Sequence, residues 1–153
     1  MNEITPCILL RGTAEQAAEF YVALFDSSHI ARVTRWPDGR FLAADIVIMG
    51  RSFVFLNEGL DVAPNAAISL TVYCRTQDEI DRYWDALTAE GGQPLQCGWL
   101  TDRFGLTWQV VPEDMPGWMA EGDPERTRRV MNAFMPMTKL DLATLRRAAE
   151  GRA

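Results

Sequence analysis

Two stretches of the chain carry apolar residues at helical spacing behind a threonine, and they lie 63 residues apart. Ala14, Ala17, Tyr21, Leu24 and Phe25 follow Thr13; Ile80, Tyr83, Trp84 and Leu87 follow Thr76. This spacing predicts two amphipathic helices. Thr13-Ala14-Glu15-Gln16 and Thr76-Gln77-Asp78-Glu79 both fit a capping box, in which the hydroxyl accepts from an orphan amide and the longer side chain reaches back. The same offset carries Phe20-Tyr21 onto Tyr83-Trp84 and Ala23-Leu24 onto Ala86-Leu87. Gly91-Gly92 is placed to end the second helix.

Apolar runs flank each helix. Ile4–Leu10 precedes the first, and His29–Trp36, Phe41–Met49 and Ser52–Asn57 follow it, with turns at Pro37-Asp38-Gly39 and Gly50-Arg51. Ala67–Cys74 precedes the second, and Pro94–Gly98, Trp99–Asp102 and Leu106–Val111 follow, with a turn at Arg103-Phe104-Gly105. Each half therefore reads strand–helix–strand–strand–strand. Helices are absent between most strands, which excludes a doubly wound parallel sheet. The expectation is one α+β domain over residues 1–153. Module one covers 1–58, a linker 59–66, module two 67–112 and a helical tail 113–153, with helices at Pro124–Met135 and Leu142–Glu150.

Composition narrows the chemistry. The chain has 153 residues, with 15 basic against 21 acidic side chains and a net charge of −6, which speaks against general nucleic-acid binding. No apolar run is long enough to span a membrane, and Met1–Cys7 lack the basic start and apolar core of a secretory signal, so a cytoplasmic protein is expected. Cys7, Cys74 and Cys97 are odd in number and far apart, which suits reduced thiols better than a disulfide framework or a zinc site. Lys139 is the only lysine, and its setting disfavours Schiff-base chemistry; His29 is the only histidine. Asp102, before a turn glycine, reads as a turn former.

Several of these segments carry a resemblance. Ala17-Ala18-Glu19-Phe20-Tyr21 with Leu24-Phe25, Ile68-Ser69-Leu70, Glu79-Ile80-Asp81 with Trp84 and Leu87, the run from Cys97 through Gln109 to Val111-Pro112, and Met137–Asp141 together resemble the 3-demethylubiquinone-9 3-methyltransferase-like family of glyoxalase relatives, within the vicinal oxygen chelate superfamily. The resemblance implies tandem βαβββ modules forming a cupped mixed sheet, with C-terminal helices. It implies pairing of subunits into a homodimer, with the tail helices packing across a two-fold axis. It also implies four metal-ligand positions on the inner strand faces, which the spacing of this chain gives to Pro6, Val54, Ser69 and Gln109. That set holds no imidazole, carboxylate or thiolate, so no metal is expected. No cofactor is expected either. The turn before the first helix, Leu10-Arg11-Gly12-Thr13, has one glycine and the chain has no G-x-G-x-x-G run, which argues against methyl transfer from a bound nucleotide-like cofactor.

What remains is a metal-free cup for a small organic molecule. Ser69, Thr71 and Tyr73 alternate along one strand and Thr107, Gln109 and Val111 along another, so each set shares a face. The expected ligand-binding residues are Pro6, Ser69, Thr71, Cys97, Trp99, Thr107 and Gln109. Gln109 reads equally as a pocket anchor or as a buried amide satisfied by its neighbours, and Trp108 is open between core and ligand ring. A metal-independent lyase, isomerase or transferase and a ligand-free dimeric scaffold stand as alternatives.

Overall fold

The computed structural model describes residues 4–59 and 62–152. Met1–Glu3, and Leu60-Asp61 of the expected linker, lie outside the described residues. The chain divides into two compact units at Pro64/Asn65.

The first unit holds β1 (Cys7–Leu9), α1 (Ala14–Leu24), β2 (His29–Arg35), β3 (Phe41–Ile48) and β4 (Arg51–Leu56). The strands form one sheet in the order β1-β4-β3-β2, with β1 parallel to β4 and the others antiparallel. Alternate residues of β3 and β4 face α1. Ala44, Ile46 and Phe55 are buried there with Ala14, Ala17, Ala18 and Tyr21, and the rings of Tyr21 and Phe55 meet edge to face at 5.7 Å. Burying such aromatic and aliphatic surface is what holds the helix to the sheet.

The second unit repeats this connection order. It holds β5 (Leu70–Cys74), α2 (Gln77–Thr88), β6 (Gln93–Pro94), β7 (Trp99–Thr101) and β8 (Thr107–Pro112), in a sheet ordered β5-β8-β7-β6. Val72, Cys74, Leu100, Trp108 and Val110 are buried on the side of Ile80, Tyr83, Trp84 and Leu87 from α2. Burial pushes the Cys74 thiol up to about 12, helped by the Glu79 carboxylate, so Cys74 stays protonated and acts as a small apolar core residue.

The two helix starts differ. Thr76 accepts from the Glu79 amide at 3.2 Å, and the Glu79 carboxylate reaches back past the cap to the Arg75 amide at 2.6 Å. Thr13 makes no side-chain cap bond; instead the Ala14 amide donates to Asn57 Oδ1 at 3.3 Å. Half of the expected pair of capping boxes is thus replaced by a side chain from the end of β4.

The strand expected at Pro94–Gly98 is shorter. Only Gln93–Pro94 pair with β7, because Cys97 and Gly98 both take positive φ (+62° and +76°) and turn the chain. At Gly98 a side chain would also collide, since a Cβ would lie 2.8 Å from the Val110 carbonyl oxygen and 3.0 Å from Leu140 Cδ1.

The tail holds α3 (Met115–Trp118), which the sequence pattern did not predict, α4 (Pro124–Phe134) and α5 (Leu142–Glu150). Asp123 and Asp141 cap the last two by accepting from the Arg126 and Thr144 amides. The tail helices bury an apolar side on their own chain: Val130, Leu140 and Leu145 cluster with Val111 of β8. Gln77 at the start of α2 clasps the tail, donating to the Leu140 carbonyl at 3.1 Å and accepting from the Leu142 amide at 2.8 Å. Lys139 pairs with Asp81 at 2.9 Å and Asp85 at 3.3 Å.

Candidate functional site

Strand β8 lies between β5 and β7, and its pleat sorts its side chains. Trp108 and Val110 point toward α2, which leaves Thr107, Gln109 and Val111 on the opposite face. The register sets Gln109 beside Thr71 on β5 and beside Trp99 on β7. Ser69 is one pleat before Thr71. Gln109 Nε2 donates to Ser69 Oγ at 2.8 Å, so the long amide reaches diagonally across the strands. Four of the expected residues therefore meet on one face, with Gln109, Ser69 and Trp99 half-buried and Thr71 exposed. Thr107 is buried on the same face, opposite Thr101.

A serine hydroxyl can donate or accept, so the pair holds the amide in either sense. One end of the amide is then engaged. Among the described residues, Gln109 Oε1 has no hydrogen-bond partner, and one N–H is also left over. Thr71 and Trp99 flank Gln109 in register and Tyr73 is one pleat further along β5, so a hydroxyl, an indole and a phenol share its face. The face offers directional hydrogen bonds and flat apolar area, and carries no ionisable acid or base in this row.

Cys97 is not part of this group. Its amide donates to the Met137 carbonyl at 2.7 Å, and Sγ lies 3.6 Å from the Met135 carbonyl oxygen and 4.0 Å from Met135 Sδ, so the thiol faces the tail. Trp108 is settled as a core residue. Its Nε1–H donates to Asp102 Oδ2 at 2.7 Å, while Asp102 Oδ1 accepts from the Phe104 and Leu106 amides at 2.9 and 3.0 Å. Asp102 is a turn former, as read, but it is also 4% exposed and ties the β7–β8 turn to the core indole.

Pro6 belongs to the first unit and is misassigned by one residue. Cys7 pairs with Val54 as Thr71 pairs with Gln109, so Val54 is the counterpart of Gln109, as the spacing implied. Counting back, the counterpart of Ser69 is Thr5 rather than Pro6. The offset is 64 in these strands and 63 in the helices. The extra residue is in the turn Leu10–Thr13, closed by a Thr13 N–H bond to the Leu10 carbonyl at 3.0 Å, with Gly12 at φ +81° in the position that requires it. Pro6 consequently alternates with Ile8 and Leu10, on the α1 side of the sheet.

The row through Val54 runs Cys7, Val54, Asp45, Arg32 across the first sheet. Arg32 Nε donates to Asp45 Oδ2 at 2.5 Å. Sequence reading passed over this pair. The one signal for it is a carboxylate in the otherwise apolar Phe41–Ile48 run, which the pleat places away from α1.

In the first unit the positions that the resemblance marks hold Thr5 and Val54, and in the second they hold Ser69 and Gln109. Thr5 offers a neutral hydroxyl and Val54 no donor; Ser69 and Gln109 offer a hydroxyl and an amide. Neutral oxygens of this kind do not displace the water shell of a first-row divalent ion, so neither pair fits a resident metal. No group of three or more His, Cys, Asp or Glu able to hold a metal occurs among the described residues. An open depression in the tail, lined by Met119, Glu121, Pro124 and Thr127 among others, includes none of the expected site residues.

Comparison with known proteins places this arrangement. The search of curated proteins found no match. The fold is similar to that of the PhnB protein of Bacillus cereus, at 29% identity and a TM-score of 0.67, covering 72% of this chain and 99% of that one. A Pseudomonas aeruginosa protein is similar at 18% identity and a TM-score of 0.58, covering 73% and 98%. The fosfomycin resistance protein FosX of Listeria monocytogenes shares the fold at 9% identity and a TM-score of 0.57, covering 78% and 98%. These likenesses identify two βαβββ units of the glyoxalase, or vicinal oxygen chelate, fold. Residues 2–111 match the sequence profile of the 3-demethylubiquinone-9 3-methyltransferase family. The chain therefore belongs to that family, carrying a helical tail that begins where the match ends.

Proposed function

We propose that this protein binds a small, uncharged organic molecule on the face of the β5–β8–β7 sheet that points away from α2, without a resident metal. The observation that carries the reading is the Gln109 amide, half-buried, anchored at one end by Ser69 and unpaired at the other. An amide oriented in this way contributes about 1 kcal/mol for each net hydrogen bond. Thr71, Tyr73 and Trp99 supply the rest through contact area, in the mixed apolar and polar pattern of small-molecule sites. Methyl transfer forms no part of this reading, because the strand-to-helix turns Leu10–Thr13 and Cys74–Thr76 have one glycine between them and lack the glycine-rich pattern that cradles a nucleotide-like methyl donor.

We also propose that the protein acts in the cytoplasm as a homodimer. All three cysteines are free, which suits a reducing compartment. Trp36 and Val33, at and near an edge strand of the first sheet, are 40% and 42% exposed and give a second copy apolar surface to cover. Among the described residues no helix is long and apolar enough to cross a membrane.

The test is Gln109→Leu, read by the side-chain amide resonances of 15N-labelled protein titrated with propanamide. Native protein is expected to show a saturable shift of the Gln109 amide pair. The variant should keep its fold and lose binding at least tenfold, judged by the Trp99 indole signal. The reading falls if propanamide shifts neither signal, or if metal-replete protein carries about one metal per chain that Gln109→Leu releases. A purely 17 kDa species in sedimentation at micromolar concentration would remove the homodimer.

A further inference from the structure

The family match stops at Val111, and the tail starts immediately after it. Val111 is also the point where the tail meets the candidate site. It shares the Gln109 face of β8, two residues further along, which is about 7 Å at strand rise. Its register partner Tyr73 is 52% exposed, whereas Val111 is 6% exposed. The cover is the tail: Val130, Leu140 and Leu145 cluster with Val111, and Met115, Trp118, Phe134 and Met137 pack against that cluster. The face that carries Gln109 is therefore open along β5 and blocked along β8.

The block is fastened from several sides. The Cys97 and Gly98 amides donate to the Met137 and Thr138 carbonyls at 2.7 and 2.9 Å, and Gln77 clasps Leu140 and Leu142. Arg129 reaches from α4 to the Ala148 carbonyl at 2.9 Å, joining the two long tail helices. A segment pinned by backbone bonds, a side-chain clasp and buried leucine behaves as a wall rather than a frayed terminus.

We propose that the tail is the end wall of the ligand site and sets the length of molecule it accepts. This rests on the binding reading above. The two residues from Gln109 to Val111 span about 7 Å of strand, so a ligand that pairs with Gln109 and extends along β8 meets the tail on a scale of a few carbon–carbon steps. The class favoured is a compact neutral molecule with one hydrogen-bonding end. A long acyl chain is excluded in that direction.

The test uses straight-chain primary carboxamides from acetamide to octanamide, which complement the acceptor and N–H that Gln109 leaves unused. Binding is followed by the Gln109 side-chain amide and by nuclear Overhauser contacts from the ligand's terminal methyl. In native protein, affinity should rise to butanamide or pentanamide and then drop at least fivefold. The terminal methyl of the best binder should contact Val111 and a tail methionine methyl. Phe134→Ala, with Met137→Ala as a second variant at the half-buried rim of the same cluster, should move the cutoff longer by one or two carbons while acetamide binds as before. If octanamide binds native protein as well as butanamide does, or if no ligand methyl contacts the tail, the wall is refuted while the Gln109 site stands. If no chain length shifts Gln109, the binding reading is refuted and this inference with it.

Discussion

Both units close their third and fourth strands into a hairpin, and they do it by different physics. In the first, Ile48 pairs with Arg51 across a two-residue turn in which Met49 and Gly50 both take positive φ, at +47° and +78°. That turn matches the twist of the strands but asks a methionine to enter the left-handed region. In the second, the hairpin from Asp102 to Leu106 is organised by a buried carboxylate that accepts from two turn amides and the Trp108 indole. One unit holds its turn with local strain, the other with a buried carboxyl group whose two oxygens accept three hydrogen bonds. The same contrast extends to the faces. The row of the first sheet that faces away from α1 carries an Arg32–Asp45 ion pair at its exposed edge, while the matching row of the second carries a neutral amide anchored by serine and walled by the tail.

The largest expected effects test whether the two units stand or fall together. Phe55→Ala empties the core under α1, and Leu145→Ala empties the cluster under the tail; both residues are fully buried. Each should cost about 2–5 kcal/mol. Trp36 is the only tryptophan of the first unit and Trp108 is in the core of the second, so their indole resonances report the units separately. One cooperative domain requires both signals to vanish at one urea concentration in either variant. If Leu145→Ala shifts only the Trp108 transition, the units unfold independently.

Asp102→Asn should come next. The amide keeps the shape and one acceptor, but it turns an N–H toward the Trp108 N–H or the turn amides. A buried donor left facing a donor costs about 1–3 kcal/mol. The change should appear as a lowered urea midpoint and a shifted Trp108 indole signal, with the Trp36 environment unchanged. A midpoint equal to that of native protein would mean that the carboxylate does not organise the turn.

Much of this contrast was legible in the chain and some was not, for reasons that differ by residue. Apolar spacing places both main helices and most strands, because burial against a single sheet face leaves a periodic trace. Ser69 with Thr71, and Thr107 with Gln109, could be grouped on shared strand faces from alternation alone, whereas the pairing of Trp99 with Gln109 needs the strand register. Pro6 could not be placed correctly, since one added residue at Gly12 changes no hydrophobic period yet flips every side chain of β1 to the other face. Cys97 looked like a neighbour of Trp99, but its positive φ turns the thiol toward Met135. The tail's attachment to its own β8 was hidden because an amphipathic helix shows that a face is buried and not on what. Asp102's third hydrogen bond is invisible for a similar reason: a turn aspartate and a core tryptophan six residues apart carry no sign that they touch.

A smaller effect separates the tail from both sheets. Lys139 donates to Asp81 and Asp85; the hydrogen bond to Asp81, with Asp85 behind it, raises the Lys139 pKa, and bonds from Lys139 and then Gln77 lower that of Asp81. A lowered carboxylate contributes stability above its unfolded value, about 3.9, and loses it as pH falls through the folded one. A raised ammonium contributes below its unfolded value, about 10.4, and loses it as pH rises through the folded one. Tail docking, followed by the Leu140 methyl resonances, should therefore be insensitive to pH between those limits and loosen first outside them. Lys139→Met should remove the alkaline limb. Loosening near pH 7 would show that another group controls the tail.

The smallest effect bears directly on the strained turn. Met49 is 46% exposed, so its side chain has little packing to lose, and its amide is held by the Ser28 hydroxyl at 3.0 Å regardless of side chain. Asparagine enters the left-handed region more readily because its short polar side chain can bond locally, and Asn-Gly is the favoured pair for this turn. Met49→Asn should thus stabilise the protein by about 1 kcal/mol, the order of the penalty that a non-glycine residue meets at positive φ. For a chain of this size that is a rise of roughly 2–4 °C in midpoint temperature. The same exchange has no counterpart in the second unit, where Asp102 already organises the turn without a methionine in that region. If Met49→Asn leaves the midpoint unchanged or lowers it, the first hairpin is not strained, and the contrast between the two turns reduces to the buried carboxylate alone.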